Sequence, residues 1–142
     1  MGKHGTRSIL LCIVAAAAGF FCFRKYGGVF QHRASAQEIL LPNAAAREAW
    51  LNLYGWEVSA VSESPMQIPS DYRTAVGSAW EAMQEAQGIS PLRYGGQAAV
   101  RCLYHIENLC DDTFYAELWI CGDALAGAMV YNAETQEMCR VK

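Results

Sequence analysis

Apolar and polar residues alternate along two stretches in the second half of the chain. In residues 99–107, and again in residues 113–121, the even-numbered positions are apolar or amphipathic. Alternation of this kind is typical of strands that bury one face. A loop over residues 108–112 joins the two strands as an antiparallel hairpin with one continuous buried face. The predicted opposite pairs are 106 with 114, 104 with 116, 102 with 118 and 100 with 120.

Capping residues and helical spacing predict two helices ahead of this hairpin. The first begins after Asn43, a good N-cap, and ends at Gly55, which readily adopts the left-handed conformation of a helix stop. The second begins after Ser70 and ends at Gly88, with apolar side chains at helical spacing between them.

Shorter patterns predict the remaining strands. Residues 56–61 alternate, and residues 66–68 form a second candidate. A tight turn at residues 122–123 leads into a strand over residues 124–131, and residues 137–141 are a candidate edge strand. The order α-β-α-β-β-β therefore predicts an α+β fold, with two helices packed on one side of an antiparallel meander.

An uncharged run over residues 8–23 lies between Arg7 and the pair Arg24-Lys25. Its sixteen residues would span about 24 Å as a helix, less than the roughly 30 Å of a bilayer core, but long basic side chains can reach the headgroups. We expect an uncleaved, single-pass transmembrane helix in the cell membrane, with the lipid bilayer as the partner of this run. A signal peptide cleaved near residues 34–36 and a buried helix of a soluble protein are the alternatives.

The charges divide the chain into two segments. All fourteen acidic residues lie at or after Glu38, whereas five of the eleven basic residues lie in the first 36 positions. An acidic domain repels phosphate backbones, so nucleic acid is excluded as a partner, and the basic flanks of the apolar run suit anionic lipid headgroups. The expected organisation is an anchor over residues 1–25, a linker over residues 26–42 and an extracytoplasmic α+β domain over residues 43–142.

Six short motifs resemble those of a bacterial family known as domain of unknown function 4830. They are REAWLNLYGWEV at 47–58, IPSDY at 68–72, QEAQG at 84–88, LRYGG at 92–96, RCLYHIEN at 101–108 and AELWICGDALAG at 116–127. The resemblance covers residues 44–131 and implies a small, N-terminally anchored protein of a Gram-positive bacterium, with no activity attached. The family tends to carry Gly-Gly-Asp-Ile-Cys where this chain has the residues of positions 127–130, so a function of that aspartate would be lost here.

The cysteines fall into two groups of different expected chemistry. Two lie in the apolar run, and the other four would face an oxidising exterior. Strand alternation places Cys102 and Cys121 on opposite faces, so these two cannot bridge. A disulfide among Cys102, Cys110 and Cys139 stays open, as do free thiols. The chain contains no C-x-x-C motif, which argues against thioredoxin-like chemistry and a zinc ribbon.

Residue spacing gives little support to catalysis. His105 is the only histidine of the expected domain, and it lies three residues from Cys102 on one strand, hence on the opposite face. Asp111 and Asp112 are typical solvated turn residues. We therefore expect no catalytic residue, no metal site and no cofactor.

The outward face of the predicted hairpin is the strongest candidate for a function. There Arg101 lies opposite Trp119, His105 lies opposite Tyr115, and Glu117 lies between them. Such an aromatic, charged patch suits a peptide, a glycan or a partner domain. We expect a noncatalytic, membrane-tethered module for binding or assembly. The alternatives are a small cell-envelope hydrolase or thiol-redox enzyme that uses His105 or a cysteine, and an accessory subunit whose anchor packs on a larger membrane complex.

Overall fold

A computed structural model describes residues 37–142, apart from the side chains of residues 75 and 76. These residues form an α+β fold, as predicted, with two α-helices and a five-stranded antiparallel sheet. The expected anchor and most of the expected linker lie outside the described residues. No helix of residues 37–142 has the length and apolar character needed to cross a membrane. The elements are α1 (Ala44–Leu53), β1 (Val58–Gln67), α2 (Ala75–Ala86), a 3-10 helix (Pro91–Tyr94), β2 (Ala98–Ile106), β3 (Phe114–Cys121), β4 (Ala124–Asn132) and β5 (Met138–Cys139).

The strands lie side by side in chain order, from β1 at one edge to β5 at the other. The central hairpin of β2 and β3 has the predicted register, with Cys102 opposite Leu118 and Tyr104 opposite Ala116. The predicted turn at residues 122–123 joins β3 to β4, and Gly122 there has a φ of 61°. The candidate edge strand is present but shrinks to two residues.

The two predicted strands at residues 56–61 and 66–68 are one long strand, β1, which pairs with β2. The register shifts between Ala60 and Ser62, which marks a bulge, and Pro65 lies in the strand opposite Val100. Both features interrupt the alternation of apolar and polar residues. That interruption explains why the sequence pattern predicts two short strands instead of one long strand.

One face of the sheet is closed by α1 and forms the main core. Asn43 caps this helix as predicted, since its Oδ1 accepts a hydrogen bond from the N–H of Ala46 at 2.9 Å. Leu51 of the helix is fully buried against the even-numbered positions of β2 and β3. The buried members are Leu41, Trp50, Leu51, Ile89, Cys102, Tyr104, Ile106, Ala116, Leu118, Ile120, Leu125, Ala128, Val130 and Val141.

Helix α2 begins later than predicted and packs elsewhere. Its N-cap is Thr74, not Ser70, and the Thr74 hydroxyl accepts a hydrogen bond from the N–H of Gly77 at 3.0 Å. Trp80 of α2 stacks on Trp119. The residues directly before and after Trp119 on β3 point to the main core, so Trp119 and Trp80 lie on the opposite face of the sheet. The prediction that both helices pack on one side of the sheet is therefore wrong.

Two buried glutamines of α2 hold the helix against β4. The amide of Gln84 pairs with both backbone groups of Ala128: its Nε2 donates to the carbonyl at 2.9 Å, and its Oε1 accepts from the N–H at 2.8 Å. Gln87 donates to the same carbonyl at 3.1 Å and accepts from the N–H of Val141 at 2.8 Å. These side chains give β4 the hydrogen bonds that a further strand would otherwise provide.

The chain segment ahead of α1 is part of the fold. The N–H of Leu41 donates to the carbonyl of Asp123 at 2.7 Å, and the N–H of Leu125 donates to the carbonyl of Ile39 at 2.8 Å. Leu41 is buried in the main core. The folded unit thus includes the last residues of the predicted linker over 26–42.

Candidate functional site

The four residues of the predicted patch lie on one face of the β2–β3 hairpin, in the predicted register. Arg101 pairs with Trp119, and His105 pairs with Tyr115. Arg101 is exposed, and the other three are half-buried. The structure nevertheless divides them into two groups with different partners.

Arg101 and Trp119 meet through a buried carboxylate. Glu117, only 6% exposed, accepts a hydrogen bond from Nη2 of Arg101 at 2.6 Å and another from the indole N–H of Trp119 at 2.7 Å. The bond to Glu117 raises the pKa of the Arg101 guanidinium, which therefore stays charged. A charge-assisted bond on each side fixes the orientation of the carboxylate.

Helix α2 covers the Trp119 side of the patch. The rings of Trp80 and Trp119 are 4.5 Å apart between centroids, and Tyr72 stacks on Trp80 at 5.2 Å. Gly127 lies under the indole of Trp119, where an added Cβ would come within 3.1 Å of the ring. Trp119 is thus held between α2 and β4, so its polar edge, not its face, is directed towards Glu117.

A groove runs along this face between α2 and the β4–β5 hairpin. It consists of two adjoining depressions of about 380 Å³ and 630 Å³, both lined by Glu117, Met129 and Met138. Further lining residues of the first are Tyr72, Thr74, Gly77, Trp80 and Trp119, and those of the second are Arg101, Tyr131, Ala133 and Gln136. We call this surface the sheet groove. Half of its lining residues carry aromatic rings or thioethers, and the ion pair of Glu117 and Arg101 also lines it.

His105 and Tyr115 lie beside the sheet groove and do not line it. Their rings make a T-shaped contact with centroids 5.4 Å apart, and Tyr115 stacks on Tyr131 at 6.0 Å. The two ring nitrogens of His105 lie 3.1 Å from Oε1 of Glu107 and 3.2 Å from the carbonyl of Asp112. The bond to Glu107 raises the pKa of His105, and the bonds from Ser59 and His105 lower the pKa of Glu107.

This arrangement does not support a nucleophilic site at His105. Ser59 and His105 both bond the same oxygen of Glu107, so no histidine nitrogen faces the serine hydroxyl as a general base must. The opposite nitrogen already faces a backbone carbonyl. Among residues 37–142, no group of three or more His, Cys, Asp or Glu side chains is placed to hold a metal ion.

Of the two alternatives left open for Cys102, Cys110 and Cys139, a disulfide or free thiols, the described residues show free thiols. In the described part of the chain Cys121 is free as well. Cys102 is buried on the core face, where its thiol accepts a bond from Nη1 of Arg47 at 2.6 Å. Burial raises the pKa of this thiol although Arg47 opposes the shift, so the group is not an activated nucleophile.

Sequence reasoning missed the residues that β4, β5 and α2 contribute to the sheet groove. Met129 and Tyr131 pair with Glu117 and Tyr115, but the register of β3 and β4 shifts between Trp119 and Ile120, so extending the alternation of β3 across the next turn would not have found them. Tyr72 and Trp80 could not be found in this way either. Their position depends on the crossing of α2, which no local pattern specifies.

Comparison with known proteins adds no relative: no family model, no curated protein and no solved structure matches the chain.

Proposed function

We propose that this protein is a noncatalytic, membrane-tethered module that binds a protein partner outside the cytoplasm through the sheet groove. The anchor rests on the uncharged run at residues 8–23 and on the resemblance to domain of unknown function 4830. The binding role rests on one observation: a groove lined by aromatic and methionine side chains has a buried, oriented carboxylate at its centre.

The lining of the sheet groove favours apolar side chains as its occupant. Met129 is buried in the floor, whereas Met138 is 47% exposed at the wall. Thioethers are polarizable and adapt to irregular apolar shapes, and Trp, Tyr, Met and Arg are enriched at protein interfaces. A protein segment with apolar side chains matches this lining better than a hydroxyl-rich glycan does.

The charge of the sheet groove sets its selectivity. Glu117 and Arg101 neutralise each other, and the Arg101 side chain is still 45% exposed, so N–H groups not bonded to Glu117 can reach a ligand. An apolar segment with a backbone carbonyl over Arg101 would satisfy both parts of the surface. This pattern, an apolar floor with few oriented polar groups, is common in binding sites.

Photo-crosslinking in intact host cells tests the binding site. The full chain carries p-benzoyl-L-phenylalanine in place of Met138, and the control carries it in place of Val61, which is 52% exposed on β1 at the opposite edge of the sheet. We expect a discrete protein adduct from position 138 that weakens in the Arg101→Ala background, and no such adduct from position 61. Equal adducts from both positions, or an adduct that glycosidases remove, would overturn the proposal.

Thiol labelling tests the location. Cys110 is exposed in the β2–β3 loop, so a membrane-impermeant maleimide should label it in intact cells. The Cys110→Ser variant is the matched control and should lose most of the label, although exposed Cys139 keeps some. Labelling that requires cell lysis, or recovery of the full chain in the soluble fraction, contradicts an extracytoplasmic, anchored domain.

A further inference from the structure

Contacts at residues 108, 112 and 113 fasten the β2–β3 loop to the rest of the domain, and within the loop the carboxylate of Asp111 accepts two hydrogen bonds from Thr113. At its start, Asn108 donates to the carbonyl of Gly55 at 2.8 Å, and at its end the carbonyl of Thr113 accepts from the N–H of Ala133 at 2.8 Å. Between these ends residues 109–112 are exposed. The third tie is the contact between Nε2 of His105 and the carbonyl of Asp112 at 3.2 Å.

Both partners of the His105 ring are acceptors. A backbone carbonyl can only accept, and Glu107 has a lowered pKa, so its carboxylate is ionised at neutral pH and also only accepts. A neutral imidazole has one N–H and can serve only one of them. Only the imidazolium can donate to both, from Nδ1 to Glu107 and from Nε2 to Asp112.

We propose that His105 is a pH-sensitive clasp that holds residues 109–112 against the sheet while it is protonated and releases them when it loses its proton. The surroundings favour the charged form. Glu107 and the Asp112 carboxylate are the negative groups acting on it, Tyr115 of β3 contacts its ring, and Ser59 of β1 holds Glu107 without adding charge.

Deprotonation has a defined outcome. The remaining proton stays on Nδ1, where the carboxylate of Glu107 is the stronger acceptor. Nε2 then points a lone pair at the carbonyl of Asp112, and this contact becomes repulsive. The pKa of His105 is raised above its ordinary value of 6.5, so the tie is complete below pH 6.5 and is lost as the pH rises through the raised value.

Glu107 sets the acidic limit of the clasp. The pKa of Glu107 is lowered, so its contribution is present above its ordinary value of 4.5 and disappears as the pH falls through the lower value. The loop is therefore held most firmly between pH 4.5 and pH 6.5, and it is released as the pH rises through the raised pKa of His105.

Histidine nitrogen NMR of the full chain in detergent micelles tests the clasp. For His105, assigned with the His105→Gln variant, we expect a titration midpoint above 6.5 and a neutral form with its proton on Nδ1, the less common tautomer. Glu107→Gln keeps an acceptor but removes the charge, so it should lower the midpoint. A midpoint at or below 6.5, or a neutral form with the proton on Nε2, would overturn the proposal.

Backbone ¹⁵N order parameters of residues 109–112 provide a second, independent measurement. They should fall across the His105 titration, because release of the Asp112 carbonyl frees the loop. In His105→Gln they should be low at every pH, whereas the control His32→Gln should behave as the unmodified chain. A pH-dependent fall that survives in His105→Gln would overturn the proposal.

Discussion

The two faces of the β2–β3 hairpin carry alternate residues of the same two strands, yet they are covered differently. On one face Cys102, Tyr104 and Leu118 are at most 2% exposed beneath α1. On the other face Arg101 is exposed, and Glu117 is buried beside Trp119, on which Trp80 of α2 packs.

The difference shows that two kinds of interaction organise the two faces of one sheet. The core face is closed by apolar side chains whose burial is nondirectional and adds stability in proportion to area. The sheet groove is organised by directed bonds to Glu117, which fix side-chain positions but leave a hollow. Truncations on the first face should therefore lower the free energy of unfolding more than substitutions on the second.

The largest effect is expected from Leu118→Ala on the core face. The side chain is fully buried, and its truncation leaves a cavity, so the free energy of unfolding should fall by about 2–5 kcal/mol. Chemical denaturation of the full chain in micelles measures the loss. The control is Met138→Ala in the wall of the sheet groove, which should cost less than about 1 kcal/mol because that side chain is 47% exposed. Equal losses in both variants would remove the distinction between the faces.

Gln84→Leu should have the next largest effect. It leaves the buried N–H of Ala128 without its acceptor, while Gln87 still bonds the carbonyl. An unpaired buried donor costs about 1–3 kcal/mol, measured again by denaturation. Glu85→Ala, at an exposed position of the same helix, should stay within about 0.5 kcal/mol of the unmodified chain. If Gln84→Leu is neutral, the glutamine does not hold α2 at the edge of β4.

Glu117→Gln should cause a smaller loss, of about 1–2 kcal/mol. The amide keeps one acceptor oxygen but turns an NH₂ group towards either Arg101 or Trp119, both of which are donors. The indole emission should shift because Trp119 loses a fixed partner. Glu63→Gln is the control from the core face: Glu63 bonds Arg47 but is itself 56% exposed, so its loss should cost no more than about 1 kcal/mol. The reverse order of the two losses would contradict a structural role for the buried carboxylate.

Tyr104→Phe should change the free energy of unfolding least at neutral pH. Its effect on stability should appear at alkaline pH. Burial raises the pKa of Tyr104 to about 12, from an ordinary value of 10. The buried neutral phenol therefore stabilises the fold below pH 10, and this contribution is lost as the pH rises towards 12. In Tyr104→Phe the alkaline decline in stability should be shallower.

Absorbance titration isolates the Tyr104 ionisation. Tyr104→Phe should remove one tyrosine from those that ionise near pH 12. Tyr94→Phe is the comparison, because burial and the bond to Glu38 also raise the pKa of Tyr94 to about 12. An unchanged high-pH step in Tyr104→Phe would show that the core face admits water at this position.

Local patterns predicted the hairpin well because its determinants are local. Alternation over β2 and β3 and a loop of fixed length set the pairs Arg101–Trp119 and His105–Tyr115. The same reasoning failed for β1, where the bulge near Ala60 shifts the alternation. It also failed for α2, whose position depends on Gln84 meeting a backbone distant in sequence.

The candidate site was predicted only in part for the same reason. The outward residues of β2 and β3 follow from the alternation of apolar and polar positions. The walls of the sheet groove beside Glu117 depend on where Trp80 packs, which alternation does not specify. From alternation alone, Glu117 is one outward acidic residue among others. The long-range packing of α2 on Trp119 places it in the middle of the sheet groove.

The bulge and the proline of β1 affect whether another chain can pair with this edge of the sheet. In residues 37–142, glutamine side chains of α2 bond the backbone at the free edge of β4. The outer edge of β1 is then the long unpaired edge of the sheet in this part of the chain. The shift near Ala60 bends this edge, and Pro65 has no N–H to offer an incoming chain. A neighbouring copy of the domain therefore finds no straight template for sheet extension along β1, which disfavours self-association through this edge.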